Sequence, residues 1–361
     1  MGKILFVTNS FGMGGAEKVL LDIVCTLKKN FDVHVLVFHN RGPLKEGMEK
    51  HCRIFTLFTS PLHYLLFRKI NWYRRFRVNS FVTKNNYKAV VGFMEGKSTG
   101  LVAEIGVKIQ KIAWVHTDVR KMDIFTDTAK VFSVYDKMDR IVFVSEDAKK
   151  AFLERFADVH SHLDVIYNVI DEDNIICLSD GDGGEKSAKF TFLNVGMLRK
   201  EKCQDRLVRI ARRLKDLGYD FRILIIGNGP LMGYLSELIA TSGVPEHVFL
   251  LGMKENPYPY MKRCNCFVLC SDFEGYGIAV KEALFLKKLV LATDVAGPRE
   301  ILGDGKYGLI VKNDENALFQ MMRHILELHC ENREVDVLQN VIHYQGDNEH
   351  IRQQLAALFT V

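Results

Sequence analysis

The stretch Phe267-Val-Leu-Cys-Ser271-Asp-Phe-Glu274-Gly-Tyr-Gly277-Ile-Ala-Val-Lys-Glu282 decides the fold. Apolar β-type residues over 267–270 run into a loop with two glycines, and helical spacing of apolar residues takes over from Ile278 to Phe285. That is a strand, a glycine turn and a helix start. Glycine lets backbone approach a ligand without a Cβ in the way, and the free N–H groups at a helix N-terminus suit a phosphate. Glu274 stands just before the glycines, and Glu282 lies about two turns into the helix. Taken alone, the pair reads first as a helix cap and a solvated face residue. Around an anion-suited turn, the two carboxylates can also reach hydroxyls at both ends of a diphosphate that carries a sugar on one side and a ribose on the other.

The same strand-loop-helix pattern extends outward in both directions. Residues 190–195, 221–226, 248–251, 289–293 and 308–311 read as further buried strands, and Gly196, a polar loop to Lys202, and Gly227-Asn-Gly-Pro230 follow the first two. Upstream, residues 171–189 turn acidic and Gly-rich and read as a linker. The expected division is a first domain over 1–170, the linker, a second domain over 190–340, and a final helix within 341–361, from Asn348 to Leu358. At 361 residues and 48% hydrophobic, the chain suits two α/β domains.

In the first half, strand patterns at 3–8, 33–38, 89–93, 111–115 and 140–144 alternate with helical ones. His116-Thr-Asp118 follows the 111–115 strand, at the end where open α/β sheets bind ligands; a surface or capping histidine fits the same position. Gly12, Gly14 and Gly15 do not complete a dinucleotide fingerprint, because Glu17 takes the place of its last glycine. The second strand ends in His39-Asn40 where an acidic residue would hold a ribose. The opening loop therefore reads as a backbone approach to a ligand, and an NAD enzyme is disfavoured.

Composition excludes other classes. No apolar run reaches the 18 residues of a membrane span, so a cytoplasmic protein is expected. Eight cysteines contain no CxxC pair, and no metal is expected. Residues 1–170 hold 26 Lys and Arg against 17 Asp and Glu, whereas 171–361 hold 23 against 27. A basic half fits a nucleic acid or an acidic membrane surface, but no nucleic-acid-binding motif is present. In Pro61–Phe81, Leu62, Leu65, Leu66, Ile70, Tyr73 and Phe76 recur at helical spacing among Arg68, Lys69, Arg74, Arg75 and Arg77. A basic amphipathic helix of this kind suits an anionic bilayer, as it also suits a core-packed helix with a solvated basic face.

Taken in order, Gly14-Gly-Ala-Glu17, Val144-Ser-Glu146, Val165-Ile-Tyr-Asn168 with Asp171, Gly196 with Lys202, Ile226-Gly-Asn-Gly-Pro230, Glu274-Gly-Tyr-Gly277 with Glu282-Ala283, Gly297 with Glu300, and Gly308-Leu-Ile-Val311 resemble the retaining glycosyltransferases of family 4, also called group 1. The resemblance spans nearly the whole chain. It implies a GT-B fold, two Rossmann-like parallel-sheet domains facing a cleft, with the C-terminal helix expected to return to the first. It also implies a nucleotide-diphosphate sugar donor, a UDP-sugar ahead of a GDP-sugar, with no further cofactor and no metal.

By the same resemblance, Glu282 would hold the ribose, Glu274 the donor sugar, and the N–H groups of Gly275, Tyr276, Gly277 and Ile278 the diphosphate. Lys202 would neutralise the leaving phosphate, His116 would contact the sugar near its reacting carbon, and Gly15 would let the first loop close over the diphosphate. His116, Lys202 and Glu274 are thus the expected catalytic set. One departure stands out: Met197 occupies a position where such enzymes often carry Arg, which makes Arg199 a substitute. The implied acceptor is a glycan or lipid-linked glycan, in bacterial surface polysaccharide synthesis at the inner face of the membrane. A catalytically silent subunit activating a partner transferase, or a sugar epimerase of the same fold, are the alternatives.

Overall fold

The computed structural model describes residues 2–12, 14–56, 70–184, 187–331, 344 and 346–360. The chain divides into two units, Met1–Ile170 with Asp347–Val361, and Asp171–Gly346.

Among the described residues the first unit holds seven strands, β1 (Lys3–Thr8), β2 (Asp32–Val37), β3 (Arg53–Phe55), β4 (Ala89–Gly92), β5 (Gln110–Val115), β6 (Arg140–Phe143) and β7 (His162–Val165). They form one parallel sheet in the order β3-β2-β1-β4-β5-β6-β7. Val7 pairs with Leu36 on one side and with Gly92 on the other. Ile4 to Thr8 are all buried, as a run of apolar residues must be when helices cover both faces of a parallel sheet. Sequence order reverses between β1 and β4, so ligands are expected in the crevice at the carboxyl ends of those two strands.

The second unit repeats the plan with β8 (Phe190–Val195), β9 (Phe221–Ile226), β10 (Val248–Leu250), β11 (Cys266–Leu269), β12 (Leu289–Thr293) and β13 (Leu309–Val311), in the order β10-β9-β8-β11-β12-β13. The reversal falls between β8 and β11. Both sheets are therefore Rossmann-like and parallel throughout.

One stretch differs from the sequence reading. Residues 172–179 lie inside the span read as a linker, yet Glu172–Ser179 is a helix of the second unit. Asp171 caps it by accepting the Asn174 N–H at 3.1 Å, and buried Ile175 anchors it. The Gly-rich signal is confined to 181–184. The helix Asn348–Leu358 returns to the first unit, where it packs on the helix Gly15–Leu27. Phe359 stands edge-on to Phe6 and Phe31, at 6.1 and 5.9 Å, pairs worth about 0.5–1.5 kcal/mol each beyond burial. The Asn348 amide accepts the Ile170 N–H and donates to the Ile170 carbonyl, at 3.4 and 3.3 Å.

Candidate active site

In the second unit, the loops after β8 and β9 are pressed backbone to backbone. A Cβ at Gly227 would lie 1.8 Å from the Gly196 carbonyl oxygen, and one at Gly229 would lie 2.4 Å from that of Leu198. Only glycine allows this approach. The Gly196 N–H donates to Ile226 and the Leu198 N–H to Asn228, each at 3.0 Å. From this anchored start the chain makes a 3-10 turn at Lys200–Lys202. The Asp272 N–H donates to the Glu201 carbonyl at 2.8 Å, tying the turn to the loop after β11.

That tie delivers Lys202 to Glu274. Lys202 Nζ donates to Glu274 Oε1 at 2.5 Å, and Ser271 Oγ donates to the same oxygen at 2.8 Å. Both partners of the ion pair are mostly shielded from water, with 24% and 10% of their side chains exposed. The glycine turn follows at once. Gly277 caps the helix Ile278–Phe285 at φ 88°, a left-handed conformation that costs a side-chain-bearing residue energy. A Cβ at Gly297 would lie 2.5 Å from the Tyr276 Cα, so residues 275–276 rest directly on the helix Ala296–Ile301.

The helix Ile278–Phe285 is buried from Val280 to Leu284, which includes Lys281 and Glu282. Charged side chains inside a helix this enclosed need partners. Glu282 Oε1 accepts the Tyr258 hydroxyl at 3.2 Å, and Lys281 Nζ lies 6.0 Å from the centre of the Tyr276 ring. Arg199 is exposed, just ahead of the Lys200 turn.

In the first unit, Gly15 opens the helix Gly15–Leu27 and is exposed. His116 follows β5, and its ring packs against Phe93, with centres 4.5 Å apart, and parallel to Trp114. Burial lowers the imidazole pKa to about 4, against a smaller raising effect of the Phe93 backbone. The ring is therefore neutral at pH 7. Its Nε2 is buried and has no hydrogen-bond partner among the described residues. The backbone N–H of His116 donates to Glu95 Oε1 at 2.5 Å. Glu95 is partly buried by area, its carboxyl end is enclosed by protein, and its pKa is raised by that burial.

Two family patterns match this chain. Residues 13–174 match Glycosyltransferase Family 4 and residues 179–337 match Glycosyl transferases group 1. The chain belongs to the group 1 glycosyltransferases. Among curated relatives of this glycosyltransferase, the N-acetylgalactosamine-N,N'-diacetylbacillosaminyl-diphospho-undecaprenol 4-alpha-N-acetylgalactosaminyltransferase of Campylobacter jejuni is 29% identical over 342 residues, covering 91% of each chain. A second Campylobacter jejuni enzyme, an alpha-1,4-N-acetyl-D-galactosaminyltransferase acting on a GalNAc-containing diNAcBac-PP-undecaprenol, is 24% identical and covers 98% of this chain and 97% of its own. Among solved structures, Anabaena HepE in complex with UDP and glucose superposes with a TM-score of 0.81 at 20% identity over the full length of both. That likeness establishes the GT-B fold.

Within this glycosyltransferase the geometry joins Lys202 to Glu274 in one cluster and sets Glu282 on the helix behind it. Three residues of these clusters were not singled out from sequence. Ser271 carried a signal, the Ser-x-x-Glu spacing to Glu274. Glu95 carried a fainter one, since Glu95-Gly96 after β4 repeats Glu274-Gly275 after β11. Tyr258 carried none, because its bond to Glu282 spans 24 residues.

Proposed function

We propose that this glycosyltransferase moves a sugar, with retention, from a nucleotide-diphosphate sugar to a hydroxyl of a lipid-linked glycan. The observation that carries the donor site is the single Glu274 oxygen shared by Lys202 and Ser271, directly ahead of the Gly277 turn. Cleaving a glycosyl–phosphate bond builds positive charge on the sugar and a second negative charge on the leaving diphosphate. Lys202 has donors beyond the one given to Glu274, and with the first N–H groups of the helix Ile278–Phe285 it would meet that leaving group. Glu274 would turn to a donor-sugar hydroxyl, and Glu282 with Tyr258 would hold the ribose. Arg199 at the loop and Gly15 in the other unit are further contacts of the donor in this reading. His116, neutral, would contact the donor sugar near its reacting carbon.

A UDP-sugar is preferred to a GDP-sugar, and neither a metal nor another cofactor takes part. The acceptor class is drawn from the two Campylobacter relatives, whose names specify undecaprenol-linked glycans. Incubating the protein with a panel of UDP- and GDP-sugars, and following hydrolysis and melting temperature, tests the donor. One UDP-sugar should be cleaved and should raise the melting temperature; silence across the panel would overturn the reading and favour a catalytically inactive subunit.

The finer part of the proposal is attachment to the inner membrane face. Of the segment 61–81, residues 61–69, including Leu62, Leu65, Leu66, Arg68 and Lys69, lie outside the described residues. The remainder is the start of the helix Asn71–Asn85. Trp72 and Phe76, 70% and 64% exposed, share a face one turn apart, and Arg75 and Arg77 are exposed beside them. Arg74 instead binds Glu104, with Nε donating to Oε2 at 2.6 Å. No helix among the described residues is long and apolar enough to cross a membrane. Flotation with vesicles containing anionic lipid should recover the wild type and lose the R75E/R77E variant; equal recovery would remove this surface from the proposal.

A further inference from the structure

The glycine loop after β1 is held at both ends. Upstream, the Phe11 N–H donates to the Arg41 carbonyl at 3.0 Å, the Leu44 N–H donates to the Phe11 carbonyl at 3.2 Å, and the Phe11 side chain is buried. Downstream, the helix Gly15–Leu27 begins, with Gly14 as its N-cap. Glu17 is the third residue of that helix, the place from which a glutamate reaches back toward the N-cap in a capping box.

The glycines show where its carboxylate goes. A Cβ built on Gly14 would collide with Glu17 Oε2, and one built on Gly12 would lie 3.3 Å from Glu17 Oε1. The carboxylate therefore lies against both glycines, one oxygen toward each. Backbone conformation does not explain why these residues are glycine. Gly14 has φ −74° and ψ 161°, which any residue adopts, and Gly12 also lies outside the left-handed region. Among the described residues, the atoms nearest to either added Cβ belong to Glu17.

A carboxylate at this place needs a reason. In the donor reading Gly15 meets the diphosphate, and a negative charge two residues further on opposes that ligand. Glu17 is nevertheless folded in against the loop and half-buried. Glycines at 12, 14 and 15 leave the loop with little side-chain packing of its own, and glycine loses more conformational freedom on ordering than any other residue. A side chain seated against two of the glycines removes that freedom before the donor arrives, which is preorganisation.

We infer that Glu17 is a positioning residue for the transfer reaction: its carboxylate, seated against Gly12 and Gly14, sets the shape of the loop that presents Gly15 to the donor. Gly12 and Gly14 are glycine to make room for that carboxylate, and Gly15 to make room for the ligand. The inference rests on the donor reading.

A double-mutant cycle on the full chain tests it. Turnover is read as hydrolysis of UDP-glucose, UDP-galactose, UDP-N-acetylglucosamine and UDP-N-acetylgalactosamine, with UDP affinity from calorimetry and melting curves on the same samples. Gly14→Ala and Glu17→Ala should each lower kcat about 10- to 100-fold, the cost of a slightly misplaced contact. UDP affinity, which the second unit supplies in that reading, should stay within about threefold of wild type. The double variant should be no worse than Glu17→Ala, because the added methyl then has room. Glu17→Gln, which keeps the shape and one acceptor oxygen, should stay within about threefold of wild type. If Gly14→Ala does not fold, the double variant should, and Gly12→Ala takes its place in the kinetics with the same expected rescue. Losses that add in the double variant, a glycine variant that turns over like wild type, or Glu17→Gln as damaged as Glu17→Ala would each overturn the inference. A wild type silent toward all four sugars overturns the donor reading, whereas an active wild type with additive losses overturns this inference alone.

Discussion

The loop after β4 in the first unit and the loop after β11 in the second stand at the same topological place, beside the reversal of their sheets, and each carries a glutamate followed by glycine. Their electrostatics differ. Glu274 is met by a lysine ammonium and a serine hydroxyl on one oxygen. Glu95 is met by the backbone N–H of His116, and burial raises its pKa. Among the described residues, the glutamate of one copy is thus paired with a cation and that of the other is met by backbone.

The comparison breaks most visibly if Lys202 is removed. Lys202→Ala should lower kcat about 100- to 1,000-fold, the usual cost of deleting one preorganised donor to a developing anion, about 2.7–4 kcal/mol. Steady-state kinetics with the cognate donor measures it; a kcat within a few-fold of wild type would mean that the cation in the second unit is structural. A smaller effect is expected at Glu282. In the proposed donor site its loss would remove a charge-assisted hydrogen bond to a ribose hydroxyl, about 1.5–3 kcal/mol, so Glu282→Ala should weaken UDP binding about 10- to 100-fold in calorimetry.

The smallest effect sharpens the first-unit side. The His116 ring should titrate near pH 4 and not near 6.5, because charging it inside the Phe93–Trp114 packing is costly. Between pH 6.5 and about 4 the unfolded chain holds a proton on this residue that the folded chain does not, so His116 removes stability as pH falls through that window. A histidine NMR titration reads the midpoint directly, and a value near 6.5 would show the ring to be solvated.

Much of this was legible from residue order, for reasons that particular segments make plain. The helix Ile278–Phe285 and the final helix Asn348–Leu358 have the boundaries their spacing predicts. Short elements were not legible. β3 spans only Arg53–Phe55 at the edge of its sheet, and the helix Lys97–Ala103 contains Ser, Thr and Gly, which favour helix weakly, so its contacts with β4 and β5 outweigh its propensity. The pairing of Lys202 with Glu274 joins residues 72 apart, and local pattern does not encode it. Nor does pattern reveal that His116 is covered at Nε2, since burial of one ring nitrogen depends on Phe93 and Trp114 around it.

The return of residues 347–360 to the first unit sets an order of folding. Ribosomes release chain at about 5–20 residues per second, and domains ordinarily fold as they emerge. The second unit is contiguous from Asp171 to Gly346 and can close as soon as it is out. The first cannot, because Phe6 and Phe31 wait for Phe359, and the backbone groups of Ile170 wait for Asn348. The half that is translated first is therefore finished second, and a fragment ending at Ile170 would leave the ribosome with an uncovered aromatic seam.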